Sequence, residues 1–124
     1  KNEVNKLNSK INIHLAKYEP INLNEFNKQD KFIAFSGIGN HQTFISMLEN
    51  FGFKLSKDIE FADHYKFKNS DMNMIINEAK NLNCKIITTE KDYLRLDSIY
   101  SNKVKYIKTE LKIIDEEKLI KFIT

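Results

Sequence analysis

The stretch KFIAFSGIGNHQTFISMLENFGF, residues 31–53, decides the fold class, because it predicts a strand, a turn and a helix in succession. Its apolar start, KFIAFS at 31–36, is typical of a buried strand, and GIGN at 37–40 supplies glycines for a turn. The segment that follows repeats apolar side chains at the spacing of one helix face: Phe44, Ile45, Leu48 and Phe51. Gly52 then ends this helix.

The alternation of strand and helix continues through the middle of the chain. FKLSKDIEF at 53–61 is the next extended segment, and FADHYKF at 61–67 is a loop. Ser70 is positioned to cap a second helix. The inner face of that helix is predicted to be Met72, Ile75, Ile76, Ala79 and Leu82.

The last third of the chain repeats the pattern. KIITT at 85–89 predicts a buried strand that opens into a short helix, EKDYLRL at 90–96, with Thr89 as a possible N-cap. VKYIKTEL at 104–111 predicts a last strand, and DEEKLIKFI at 115–123 a terminal helix capped by Asp115. Parallel strands need crossover helices, so the sequence predicts a three-layer α/β/α fold with a mostly parallel sheet.

The first 30 residues are expected to be separate from this domain. INIHLAKY at 11–18 predicts a strand, and Pro20 with the polar NLNEFNKQD at 22–30 predicts a connector. We therefore expect residues 1–30 to come from the end of a preceding domain and residues 31–124 to form the α/β domain. Since the chain begins with Lys1 in place of Met, we also expect a longer protein.

Composition excludes several classes of protein. The 124 residues carry a net charge of +3 without a dense basic block, so the chain is not predicted to bind nucleic acid. Its apolar runs are too short for a membrane span, which favours a soluble globular domain. Cys84 is the single cysteine, so no internal disulfide can form and neither a four-ligand zinc cluster nor a CxxC redox pair can be built from it; we predict no metal site.

Three polar loops follow the predicted parallel strands: GIGN, ADH at 62–64 and EKD at 90–92. Ligands bind at the carboxyl ends of strands in such folds, so these loops are expected to share one edge of the sheet. GIGN could bring the amides of Gly37, Gly39 and Asn40 to an anion, or it could be a structural turn.

The other two loops also leave alternatives open. His64 could be a general base that is oriented by the carboxylate of Asp63. Alternatively, the two residues could be a structural or solvated polar pair, since adjacent side chains in an extended loop point apart and need not touch. Glu90, Lys91 and Asp92 could contact substrate or phosphate, or they could simply begin a capped helix.

Three of these motifs together resemble the C-terminal part of tetraacyldisaccharide 4'-kinase, the lipid A 4'-kinase of Gram-negative bacteria. They are AFSGIGNHQTFISMLENFGF, FADHYKF and IITTEKDYLRL, in the family's order and spacing. His41 stands where the family pattern usually has proline, and Phe67 where it commonly has tyrosine.

The resemblance implies a P-loop-type kinase that uses ATP and Mg²⁺ to phosphorylate the 4'-hydroxyl of tetraacyldisaccharide 1-phosphate. It implies that His64 is the catalytic histidine and that Asp63 supports it. The partners it implies are an N-terminal P-loop domain, the lipid A precursor, and the cytoplasmic face of the inner membrane, reached through the missing half of the protein.

The chain contains no GxxxxGK[ST] motif and no Asp-Asp pair after an apolar strand. We therefore expect it to bind no cofactor and to be inactive by itself. The alternative hypothesis is a non-catalytic α/β binding module or the remnant of a split gene.

Overall fold

The computed structural model describes the backbone of residues 16–113 and the side chains of residues 19–110. In chain order the elements are β1 (Ala16–Pro20), a 3-10 turn (Leu23–Glu25), β2 (Lys31–Ser36), α1 (His41–Asn50), β3 (Lys54–Glu60), α2 (Asn69–Leu82), β4 (Lys85–Thr89), α3 (Glu90–Tyr93), a 3-10 helix (Ser98–Lys103), β5 (Lys105–Ile107) and β6 (Thr109–Ile113).

Contacts divide these elements between two units. The larger unit spans Asn22–Lys108 and contains a four-stranded sheet in the order β3-β2-β4-β5. In the smaller unit β1 pairs with β6 in an antiparallel ribbon, from Ala16 opposite Ile113 to Pro20 opposite Thr109. The domain boundary that we expected at residue 31 stays a prediction about the longer protein.

The four-stranded sheet is parallel in all three of its pairings. Helix α1 connects β2 to β3, and α2 connects β3 to β4, as parallel neighbours require. This sheet with helices on its faces confirms the predicted α/β class. The central strands β2 and β4 end together, with Phe35 opposite Thr88, so the loops that follow them leave the same edge of the sheet.

The core lies on both faces of β2, because successive side chains of a strand point to opposite sides. Phe32 and Ala34 face one side and pack in a cluster with α1, through Phe44, Ile45 and Leu48. Ile33 and Phe35 face the other side and pack with α2, through Met72, Ile75, Ile76 and Ala79. Two cores separated by one sheet produce the predicted three layers.

Several predicted details of the elements are wrong. VKYIKTEL is not one strand, because β5 belongs to the parallel sheet and β6 to the antiparallel ribbon. Helix α2 begins at Asn69, before Ser70, and the Asp71 carboxylate accepts the Lys68 N–H at 2.9 Å. Leu82, expected on the inner face, ends this helix and is 43% exposed.

Other expectations are met or lie outside the described residues. Helix α1 ends at Asn50 and Gly52 follows it with φ of +89°, a conformation that glycine adopts without strain. Strand β1 covers only residues 16–18 of the predicted strand at 11–18 and continues to Pro20. Residues 11–15 and the predicted terminal helix at 115–123 lie outside the described part of the chain.

Candidate functional site

The three polar loops meet at Gly37, the first residue after β2. Its N–H donates to Asp92 Oδ2 at 3.1 Å, and its carbonyl oxygen accepts from the backbone N–H of His64 at 3.1 Å. The same oxygen accepts from Nη2 of Arg95 at 3.2 Å. The backbone of one residue, Gly37, therefore joins the GIGN, ADH and EKD loops, which share one edge of the sheet as predicted.

Gly37 is closely surrounded by the loops that it joins. A Cβ atom there would lie 3.2 Å from the carbonyl oxygen of Ala62 and 3.2 Å from Arg95 Nη2. At Gly39 the nearest atom would be Asp63 Oδ2 at 3.6 Å, an ordinary contact distance. The first glycine of the loop thus has a packing role, whereas the second lies exposed beside the Asp63 carboxylate.

Asn40 and its loop begin helix α1. Asn40 is the N-terminal flanking residue of this helix, and its carbonyl oxygen accepts the N–H of Phe44 at 3.2 Å. Its exposed side chain makes no capping hydrogen bond. The side-chain amide of Asn40 is therefore available to a ligand at this edge.

Asp92 is completely buried, which differs from the position expected of a ligand contact. Its Oδ2 accepts from Gly37 N–H and from the hydroxyl of Thr89 at 2.7 Å, and its Oδ1 is paired with the guanidinium of Arg95. With both oxygens engaged, the carboxylate holds the loops together. Thr89 accepts the N–H of Asp92 at 3.1 Å, so the predicted N-cap of α3 is confirmed.

Glu90 and Lys91 occupy the exposed side of the same turn. Glu90 is half-buried and Lys91 is exposed. Neither side chain makes a hydrogen bond or an ion pair with the described residues. Both are therefore free to contact a ligand, and the roles predicted for them stay predictions.

Asp63 and His64 lie beside each other on the surface of this edge. Asp63 Oδ2 is 3.7 Å from His64 Nε2, and the side chains are 52% and 72% exposed. The two neighbouring side chains lie close together because the loop turns here and does not extend. His64 has φ of +61°, and the N–H of Tyr65 donates to the Ala62 carbonyl at 3.0 Å. The imidazole is thus presented to solvent next to a carboxylate.

An aromatic cluster supports the loop from below. Phe61 stacks on Tyr65 with centroids 4.9 Å apart, and Phe67 contacts both rings and Phe35 edge-on. The Arg95 guanidinium lies over the Phe67 ring at 5.6 Å from the centroid. The aromatic side chains of the loop therefore pack against one another and against β2.

A hydrogen bond from the Tyr65 hydroxyl to Asp71 Oδ2, 2.8 Å long, ties the loop to α2. This bond to the carboxylate, with a smaller contribution from burial, raises the pKa of Tyr65 above its usual value of 10.0. The phenol therefore stays protonated, and keeps donating, at neutral pH.

Sequence reasoning missed two residues of this edge. Local pattern indicates no role for Arg95, yet its guanidinium contacts the Gly37 carbonyl, the Asp92 carboxylate and the Phe67 ring. Its being the one arginine among twenty basic residues was the available signal. Local pattern indicates no role for His41 either, but it is only 2% exposed and is hydrogen-bonded through both ring nitrogens.

Between residues 16 and 113 no group of three His, Cys, Asp or Glu side chains is placed to hold a metal ion. No helix in that range is long and apolar enough to cross a membrane.

The fold and the edge define a class of protein: an α/β domain with an exposed histidine–carboxylate pair where its parallel strands end. A family model described as tetraacyldisaccharide-1-P 4'-kinase matches residues 2–124. The chain belongs to this family.

Relatives named tetraacyldisaccharide 4'-kinase agree with this assignment. The protein of Pelagibacter ubique is 46% identical over 119 residues, covering 96% of the chain and 38% of that relative. Those of Rickettsia akari and Rickettsia typhi are 33% and 37% identical, covering 77% and 73% of the chain and 29% and 28% of the relatives. The chain thus spans about a third of the relatives it matches.

A solved structure is similar as well. The crystal structure of the "apo" form of LpxK from Aquifex aeolicus in complex with ATP superposes with a TM-score of 0.53 at 26% identity. The match covers 87% of this chain and 34% of that one. The likeness in structure and sequence supports the same family.

Proposed function

We propose that this chain is the acceptor-side part of a kinase that transfers the γ-phosphate of ATP to the 4'-hydroxyl of tetraacyldisaccharide 1-phosphate. The family and the named relatives support this reaction. The observation that carries the proposal is the exposed His64–Asp63 pair, held at the carboxyl edge of the sheet by the Gly37 carbonyl. The non-catalytic alternative has no comparable observation in its favour.

His64 acts as the general base in this proposal. Its ring is exposed enough to reach a sugar hydroxyl, and Asp63, at 3.7 Å, is placed to stabilise the imidazolium formed when His64 takes the proton. Deprotonating the hydroxyl as it attacks the phosphorus atom adds typically about 10²- to 10⁴-fold to the rate. The backbone amides of Gly39 and Asn40 and the ammonium group of Lys91 are the candidates for contacting phosphate oxygens.

ATP and Mg²⁺ are assigned to residues outside this chain. Phosphate cradles of P-loop enzymes use GxxxxGK[ST], and Mg²⁺ prefers carboxylate oxygens, but the chain lacks the motif and the buried Asp92 has no free oxygen. We therefore propose that a P-loop domain of the longer protein supplies ATP. The 124 residues by themselves should then show no kinase activity.

The setting of the reaction is part of the same proposal. A substrate that carries acyl chains is reached at a bilayer surface, so we propose that the complete protein works at the cytoplasmic face of the inner membrane. Contact with the membrane is assigned to the rest of the protein.

Replacing His64 by Asn in the complete protein tests the catalytic role. Asn tolerates a positive φ better than Ala does, so the loop should keep its shape while the imidazole is lost. Turnover should fall by about 10²- to 10⁴-fold, with little change in KM for ATP. Lys66→Ala, an exposed change in the same loop, is the matched control and should keep near-normal turnover.

Two measurements decide the outcome. Thermal unfolding followed by circular dichroism should show that both variants fold, because His64 is mostly exposed. A folded His64→Asn variant with turnover close to that of the wild type would refute the role of His64 as general base.

A further inference from the structure

A hydrogen-bonded chain of three polar side chains lies behind the GIGN loop. His41, the first residue of α1, is 2% exposed. Its Nδ1 is 2.6 Å from the hydroxyl oxygen of Ser36, and its Nε2 is 3.2 Å from Oδ1 of Asp58. Side chains from the end of β2, the start of α1 and the middle of β3 are thereby connected.

The hydrogen-bonding chemistry of Asp58 and Ser36 determines which ring nitrogen of His41 carries the proton. An ionised carboxylate only accepts hydrogen bonds, so His41 donates its Nε2–H to Asp58. In the neutral ring Nδ1 is then the acceptor, and the Ser36 hydroxyl donates to it. This arrangement predicts one tautomer of His41, with the proton on Nε2.

A serine, a histidine and an aspartate in this order also occur in hydrolases, but nucleophilic chemistry is excluded here. Ser36 is completely buried, with no exposed surface. A substrate carbonyl cannot approach a hydroxyl that is covered on all sides. The three residues therefore position the backbone around them and do not react with a substrate.

These residues lie on either side of the GIGN loop and at its base. Ser36 and His41 directly flank residues 37–40, so their hydrogen bond closes the GIGN loop at its base, and Asp58 ties the base to β3. On the other side Asp92 holds the N–H of Gly37. The Gly37 carbonyl, which accepts the His64 N–H, is fixed between these two attachments.

We propose that His41, held between Ser36 and Asp58, is a positioning residue that fixes the GIGN loop and, through the Gly37 carbonyl, the backbone of His64. Its effect on turnover rests on the proposed function, whereas its effect on the loop does not. His41 touches no substrate in this role. Its removal loosens the His64 N–H···O=C Gly37 hydrogen bond and misplaces the imidazole.

Nuclear magnetic resonance on the ¹⁵N-labelled 124-residue chain tests the effect on the loop. Long-range ¹H–¹⁵N spectra should show His41 as the Nε2–H tautomer, in contact with Ser36 through Nδ1. Asp58→Ala is the preferred perturbation because the Asp58 side chain is 41% exposed, so the fold should survive its loss. Exchange of the His64 amide should then be about 10-fold faster, because a local opening becomes easier.

Two variants serve as controls. Asp58→Asn keeps an oxygen that accepts from Nε2 and should restore exchange to near the wild-type rate. Glu49→Ala removes an exposed carboxylate from the helix that carries His41 and should leave the His64 amide unchanged. Amides of the core strand β4, such as that of Ile87, report on general destabilisation and should keep their rates.

Two results would overturn the positioning role. One is a His64 amide that exchanges at the wild-type rate in Asp58→Ala. The other is equal acceleration at Ile87, which would make the three residues merely structural. These results need no kinase assay, so they are independent of a failure of the proposed function.

In the complete protein, Asp58→Ala should lower kcat by about 10-fold and leave KM for ATP unchanged, since small misplacements of a reacting group cost rate more than binding. Asp58→Asn should recover most of the loss. An unchanged kcat in Asp58→Ala would overturn the link between His41 and turnover.

Discussion

Gly37→Ala should destabilise the protein far more than Gly39→Ala, although the two glycines stand two residues apart in the same loop. The methyl group at position 37 would meet the Ala62 carbonyl and the Arg95 guanidinium, both at 3.2 Å. Ala62 belongs to the ADH loop, and Arg95 follows the EKD loop and is paired with its Asp92. The methyl group at position 39 would meet only Asp63 Oδ2, at 3.6 Å.

The expected magnitude follows from three contributions. Overpacking of a buried site costs about 1–3 kcal/mol, and weakening one of the Gly37 hydrogen bonds costs about 1 kcal/mol more. Replacing glycine by alanine returns about 0.4–1 kcal/mol by restricting the unfolded chain. The net loss at Gly37 is about 2 kcal/mol, whereas Gly39→Ala should be neutral or slightly stabilising.

Urea unfolding followed by far-ultraviolet circular dichroism measures this difference, since the chain contains no tryptophan. The midpoint of Gly37→Ala should fall without a change in slope, and its Tm should drop by about 10 °C for a domain of this size. Equal stabilities of the two variants, or a loss below about 0.5 kcal/mol at Gly37, would refute the inference that close packing joins the three loops.

Two further changes test the supports of the edge. Asp92→Asn should cost about 3 kcal/mol in urea unfolding, because it leaves the Arg95 guanidinium without its buried carboxylate; a loss below about 1 kcal/mol would show that the amide satisfies the same donors. Asp71→Asn should lower the pKa of Tyr65 towards 10.0. Nuclear magnetic resonance titration of the Tyr65 ring in the variant and in the wild type measures this pKa. Since the pKa of Tyr65 is raised in the folded state, the stabilisation by the neutral phenol is complete below about pH 10 and is lost as the pH rises through that folded-state pKa. An unchanged pKa of Tyr65 in the variant would exclude the hydrogen bond to Asp71 as the cause.

Local pattern in the sequence was sufficient for the α/β class and for most elements. The apolar run at 31–36 and the helical spacing from Phe44 to Phe51 are properties of neighbouring residues, and a strand and a helix form there. The same holds for Thr89, whose capping of α3 depends on a residue only three positions away. The motifs were also sufficient to indicate the tetraacyldisaccharide-1-P 4'-kinase family, whose model matches residues 2–124.

Tertiary structure alone decided how the edge is held together. Asp92 reaches Gly37 across 55 positions of the chain, and His41 reaches Asp58 across 17, so no local spacing predicts either contact. VKYIKTEL has the pattern of one strand, but its two ends pair with different partners, β4 and β1. Periodicity determines which face of an element is apolar, whereas the partner of a buried polar side chain is determined only when the sheet brings distant loops together.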